Sequence, residues 1–359
     1  MSVQVGYKKQ FFLYILLFLI LIVTIESVVR IYDHYYPSCS FYESDVFAEM
    51  DDELKRIICH DNGKLKWSLN PLRLDPNQHF ETINVNSDGF RGPELQDNYD
   101  YRIFVVGGST AFGVGTTSDS NTIPGYLQQL FNEKFPERNI EVINAGIPKA
   151  YSFTESELIK NSLINYNPDM IIIYDGWNDI THSYDEFQSI ENTSTDDLIR
   201  LINRSDYSTP KVLLQQYFNY QRTSTSVIEF DTSFISEKTN LWSNQLEETC
   251  KIAKTNNIET TIILQPLLGT GNKILSNEEM YYYEHYDSET MVKYYESYAG
   301  NLEKLTNSCN QTLDLRNVFD HYKETIYYDA GHMSDFGNKI IASQIYEQLS
   351  PLIKNEISQ

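Results

Sequence analysis

Four short strand-like runs constrain this chain more than any other feature. Residues 103–106 and 170–174 are continuous in apolar character rather than alternating, and residues 140–143 and 260–264 read as further short strands. That is the pattern of strands buried on both faces of a parallel sheet. A fifth short strand is expected near residues 312–315. Helix-like text fills the gaps. Residues 124–135 are amphipathic, with Pro124 suited to a first helical turn. Thr154-x-x-Glu157 reads as a capping box opening a helix through about Ile164, which Asn167-Pro168 ends. Further helices are expected at residues 241–254, 291–307 and 335–349. Strand and helix therefore alternate from Arg102 onward. The expected fold class is α/β, a three-layer sandwich with a mostly parallel sheet flanked by helices.

One N-terminal transmembrane helix is expected ahead of that sandwich. Residues 11–29 form 19 positions with a single charge, Glu26. As a helix they span roughly 28 Å, about a bilayer's hydrocarbon thickness. Lys8 and Lys9 precede the stretch and favour a cytoplasmic N-terminus with the remainder outside. A cleaved signal peptide is the competing reading, but Thr24 to Ser27 makes a poor cleavage site. The organisation expected is a cytoplasmic end at 1–10, an anchor at 11–29, a membrane-proximal segment at 30–100 and a main domain at 101–352. That domain carries insertions near 181–240 and 267–290. Turn signals at Asp88-Gly89 and Gly92-Pro93 lead into its first strand. A tyrosine group at 281, 282, 283 and 286 reads as packing or as the lining of a sugar or acyl site.

Over the 359 residues the net charge is −22, which argues against nucleic acid or anionic lipid as a main partner. Cys39, Cys59, Cys250 and Cys309 fit neither a zinc spacing nor a CxxC pair. Outside the cytoplasm they allow two disulfides, of which sequence proximity favours Cys39–Cys59 with Cys250–Cys309; four reduced buried thiols are the alternative. Sequons at Asn192, Asn203 and Asn310 suit an exported chain.

In a parallel sheet the loops at the strands' carboxyl ends converge on one crevice. Here they carry Gly107-Gly108-Ser109-Thr110, Asn144-Ala145-Gly146 and Gly176-Trp177-Asn178-Asp179, and after the last strand comes Asp329-Ala330-Gly331-His332. This is a parts list for acyl transfer: Ser109 as nucleophile, His332 as base and Asp329 as orienting carboxylate. The N–H groups of Ser109 and Gly146 and the Asn178 amide are candidate donors to the oxyanion. The reaction calls for no cofactor and no metal.

These four ordered blocks, spread over about residues 102–352, resemble the SGNH/GDSL hydrolase superfamily. The resemblance implies that Ser109, Gly146, Asn178 and His332 take the four namesake roles, with Asp329 completing a triad. One departure is that the family usually has Asp before the serine, where this chain has Gly108. The implied function is a serine esterase acting on O-acyl esters, O-acetyl among them, of a glycan or lipid. An O-acyltransferase modifying an external glycan would use the same residues, and a non-catalytic carbohydrate-binding module would keep only the fold. The expected partners are that ester substrate and, through the N-terminal helix, a membrane.

Other motifs fail on spacing. An α/β-hydrolase elbow needs Gly where Ala111 stands. A P-loop needs Lys at Val114, and the glycines at 107, 108, 113 and 115 do not space as GxGxxG. Asp179 and His182 form a second DxxH, read as a loop histidine beside the GxND block.

Overall fold

The computed structural model describes residues 6–35, 39, 41, 44–69, 71–181, 202, 207–214 and 231–356. The sequons at Asn192 and Asn203, His182 and most of the 181–240 insertion lie outside the described residues. The chain divides into two units: Met1–Cys39 with Asn192–Ser226, and Ser40–Glu191 with Val227–Gln359.

In the first unit, α1 (Tyr7–Tyr35) is a 29-residue helix whose most apolar window has a mean hydropathy of 2.7, with none of that window buried. It is long and apolar enough to cross a membrane, as a signal sequence also is. Its carboxylate, Glu26, accepts the N–H groups of Ser208 (2.7 Å) and Thr209 (3.0 Å), the first residues of the helical stretch 208–214. That satisfies the orphan donors of a helix start.

The second unit begins with α2 (Asp52–Lys64), capped by the Asp51 carboxylate on the N–H of Glu53 (2.9 Å). No helix is expected in this membrane-proximal segment from the sequence. Two small hairpins follow, β1 (Trp67–Leu69) with β2 (Leu72–Leu74) and β3 (Gln78–His79) with β4 (Asn84–Val85). The main sheet then opens with β5 (Tyr101–Gly107), every residue buried. After it come the one-turn α3 (Ser109–Phe112), α4 (Ile123–Lys134), β6 (Ile140–Gly146), α5 (Ser152–Asn161), β7 (Met170–Asp175) and the short α6 (Trp177–Thr181). The chain continues through α7 (Ile235–Thr255), β8 (Glu259–Leu264), α8 (Asn277–His285), α9 (Ser288–Leu305), β9 (Gln311–Asp314) and α10 (Asp335–Glu356).

The five strands stand in the order β6-β5-β7-β8-β9, all parallel. Alternation of side chains across the sheet makes the three layers. Phe104, Val106, Ile171, Ile173, Ile262 and Leu264 enter one core with residues of α5, α7 and α9. Ile103, Val105, Met170, Ile172 and Ile263 enter the other with residues of α4 and α10. Each fully buried Ile, Leu, Val or Phe contributes about 1.5–3 kcal/mol. Leu72, Leu74, Ile83, Val85 and Phe90 belong to the first core, so the segment ahead of β5 is packed into it.

Two local readings shift. The helix expected from Thr154 begins at Ser152, and Thr154 occupies its third position, where its hydroxyl accepts the N–H of Tyr151 (3.1 Å). Tyr281, Tyr282 and Tyr283 lie on α8 and Tyr286 caps its end; Tyr282 donates to Glu278 (2.9 Å) and Tyr281 stacks on His285. Cys250 and Cys309 are bonded, tying α7 to the entry of β9. Cys39 and Cys59 are also in the disulfide form, and no described cysteine is free. Asn310 is exposed, and its side-chain oxygen takes the N–H of Thr260 (3.0 Å).

Candidate active site

β5 runs out at Gly107, and α3 starts two residues later with Ser109. Gly108 between them is extended, and a Cβ there would lie 2.4 Å from Nδ2 of Asn178. The missing aspartate of the first block thus has a steric reason in this chain: the Asn178 amide fills that space. Behind the turn, Arg91 is fully buried and donates to the carbonyls of Phe112 (3.0 Å) and Gly113 (2.8 Å), with Asp119 as its counter-ion (2.8 Å). These are carbonyls at the end of α3, which a one-turn helix leaves without partners. Asn144 adds a second donor to Phe112 O (3.0 Å). Neither brace was foreseen; the sequence shows Arg91 only as part of a Phe-Arg-Gly-Pro turn.

Asp329 and His332 come from a tight loop closed by the Tyr327–Met333 bridge. One oxygen of Asp329 accepts the N–H groups of Gly331 (2.9 Å) and His332 (2.7 Å), and the other meets Nδ1 of His332 at 2.7 Å. A carboxylate against Nδ1 makes that nitrogen the donor and leaves Nε2 as the acceptor. Nε2 lies 2.7 Å from Oγ of Ser109, 223 residues away in sequence. Burial pushes the Asp329 carboxyl up. The charge and hydrogen bonds of His332, with the Gly331 N–H, outweigh that and hold it below the usual carboxylate range. Tyr328 stacks nearly parallel on the imidazole and Trp177 meets it edge-on, fixing the plane of the ring.

Gly146 and Asn178 differ from each other. The Gly146 N–H donates to Oδ1 of Asn144 (3.0 Å), and a Cβ on Gly146 would lie 2.3 Å from the Phe112 nitrogen. The Gly146 N–H, expected as an oxyanion donor, is in this structure bonded to the Asn144 side chain, and the residue's small size serves the packing of α3. Asn178 donates one amide hydrogen to Ala150 O (2.7 Å), while the other has no partner among the described residues. The Ser109 N–H, first in its helix, likewise has no intrahelical partner. The structure thus brings Ser109, Asn178, Asp329 and His332 together from three separate segments. No group of His, Cys, Asp and Glu that could hold a metal occurs among the described residues.

The sequence matches the GDSL-like Lipase/Acylhydrolase family over residues 105–288, a span that holds Ser109, Gly146 and Asn178 and ends before Asp329. Among solved structures, the chain is similar to the acetyl xylan esterase AlAXEase, with 15% identity and a TM-score of 0.42 over 69% of this chain and 99% of that one. It is similar to Axe2, an acetylxylan esterase from Geobacillus stearothermophilus, with 16% identity and a TM-score of 0.42 over 71% and 96%. LAE5, an alpha/beta hydrolase enzyme from the metagenome of Lake Arreo, gives 14% identity and a TM-score of 0.42 over 69% and 94%. No curated protein matches the sequence. With over half of its length matched, and a serine presented at the end of the first core strand as its sequence blocks led one to expect, the chain belongs to the GDSL-like lipase/acylhydrolase family and is a hydrolase of ester bonds.

Proposed function

We propose that the protein cleaves O-acyl esters, small acyl groups such as acetyl on a glycan or lipid, through an acyl-enzyme on Ser109. Oγ of Ser109 attacks the carbonyl carbon while Nε2 of His332 takes its proton. Asp329 holds the imidazole through Nδ1 and offsets the positive charge that forms there. The tetrahedral oxygen is received by the Ser109 N–H and the unpartnered amide hydrogen of Asn178. Collapse expels the alcohol, which takes the proton from His332. Water, deprotonated by the same nitrogen, then releases the acid and restores Ser109. The observation that carries the reading is the continuous relay at 2.7 Å from Ser109 to His332 and 2.7 Å from His332 to Asp329.

The test is intact-mass detection of the acyl-enzyme on p-nitrophenyl acetate. Ser109→Ala is expected to form none and to lose turnover, and to escape labelling by a fluorophosphonate. Wild-type turnover in that variant would overturn the mechanism. Supplying a sugar acceptor and analysing the product separates water from a hydroxyl as the acyl acceptor.

We further infer that α1 is a retained anchor with residues 1–10 in the cytoplasm and the catalytic unit outside. Its wholly exposed apolar surface, Lys8 and Lys9 ahead of it, and four disulfide-bonded cysteines support this. Protease added to intact cells is expected to digest the catalytic unit; full protection would refute the topology.

A further inference from the structure

Beneath Asn178 lies a group of acids that the mechanism above does not use. Asp179 and Glu155 are completely buried and Asp175 is 2% exposed. They come from α6, α5 and the end of β7. Asp179 accepts the Ser152 N–H (3.2 Å) and the Ser152 hydroxyl, and the Asp175 carboxyl, four residues earlier, acts on it directly. Asp175 in turn accepts Nε1–H of Trp242 from α7 (3.1 Å). Neither oxygen of Glu155 has a hydrogen-bond partner.

Two carboxyl groups bond to each other only through a proton, because ionised carboxylates are acceptors alone. The basic side chain from α7, Lys238, donates to Ile180 O (2.7 Å). Among the described residues, the phenols of Tyr295 and Tyr298 from α9 also act on these acids, and they bring no positive charge. Like charges in a dry pocket cannot all ionise. Burial, then Asp175, raises Asp179 well above the usual carboxylate range; burial, then Asp175 and Asp179, does the same to Glu155.

The position of this shared proton matters because Asp179 and Asn178 hold the same turn. Asn178 grips Ala150 O, and Asp179 grips Ser152 two residues on. Together they fix the segment between β6 and α5 against the start of α6, and they fix the Asn178 amide over Gly108.

We propose that Asp179 is a positioning residue for the reaction, sharing a proton with Asp175, so that its neutral clasp on Ser152 sets the Asn178 amide beside Ser109. This rests on the acyl-enzyme reading above. Asn is the neutral mimic: in Asp179→Asn the amide donates to Asp175 and its oxygen accepts from Ser152. Asp179→Ala keeps neither bond.

The experiment measures kcat and KM on p-nitrophenyl acetate for both variants, with fluorophosphonate labelling as the check on Ser109. Asp179→Asn is expected to hold kcat within about threefold. Asp179→Ala should lose on the order of tenfold or more in kcat with KM little changed, up to the roughly 10² to 10³ of losing one oxyanion donor. A second readout needs no folded alanine variant. In the Glu155→Gln background at neutral pH, infrared spectroscopy should show a buried carboxylic-acid C=O band that Asp179→Asn removes. No such band, or an Asp179→Asn variant as slow as Asp179→Ala, would overturn the proposal. Labelled Ser109 alongside either result leaves the acyl-enzyme reading standing; unlabelled wild-type Ser109 brings down that reading instead.

Discussion

Asp329 and Asp179 flank the same nucleophile turn, one after β9 and one in α6, and both are buried, at 8% and 0% exposure. They end in opposite states. Burial raises both acids, yet Asp329 is drawn down by an imidazole and two N–H groups, while Asp179 has Ser152 on one side and Asp175 on the other. The difference lies in what each acid faces. Donors and a base make a buried aspartate an ionised orienter, and a second carboxyl makes it a proton carrier. One residue type thereby does two jobs within one site, holding a charge where a cation develops and holding a neutral clasp where only geometry is needed.

Substituting asparagine at both positions breaks the comparison most directly. Asp329→Asn replaces an acceptor by an amide that no longer fixes the Nδ1–H tautomer, and kcat should fall by about 10⁴, as loss of a triad aspartate does. Asp179→Asn should leave kcat nearly unchanged. Equal losses in steady-state assays of the two variants would mean that the acids carry the same charge after all. Asn178→Ala comes next in size. Removing its amide deletes one oxyanion donor and should cost about 10² to 10³ in kcat, with acyl-enzyme still detectable by mass. That loss also bounds Asp179, because a clasp that acts through Asn178 cannot be worth more than Asn178 itself. Asp179→Ala slower than Asn178→Ala would show a second route of action.

The two acids were not equally legible. The strands of the central sheet announce themselves because strands buried on both faces are mostly apolar; β5 is buried throughout, and its one charge, Arg102, is paired with Glu141. Ser109, Asn178, Asp329 and His332 follow from that frame, since each ends or follows a strand and the strand order is parallel. Gly146 lay in the right loop, but the choice of Asn144's side chain to take its N–H is a rotamer, and no spacing encodes it. Asp179 was visible as the last letter of GxND and the first of a second DxxH, and neither motif points to Glu155. Its meeting with Glu155 depends on how α5 packs against α7 and β7, which is a matter of tertiary contact rather than of periodicity. α2 escaped because its buried residues, Ile58, Cys59 and Asp61, fall within a single short turn.

The smallest expected effect tests the acid group through stability instead of rate. Glu155 is buried with no partner for either oxygen, and it is held well above the usual carboxylate range by burial and by Asp175 and Asp179. Folded protein therefore keeps a proton that the unfolded chain gives up once pH passes about 4.3. Stability then falls as pH rises, by at most about 1.4 kcal/mol per pH unit for this one group, until the folded pKa is reached. Asp329 has the opposite sign: its lowered pKa adds stability above the unfolded value, and that stability is lost as pH falls through the folded one. Glu155→Gln removes only the first slope. Its Tm should match wild type near pH 4 and exceed it increasingly from pH 5 to 8, while the acid-side loss owed to Asp329 stays. A constant difference between the two melting curves across that range would mean that Glu155 does not carry its proton into the fold.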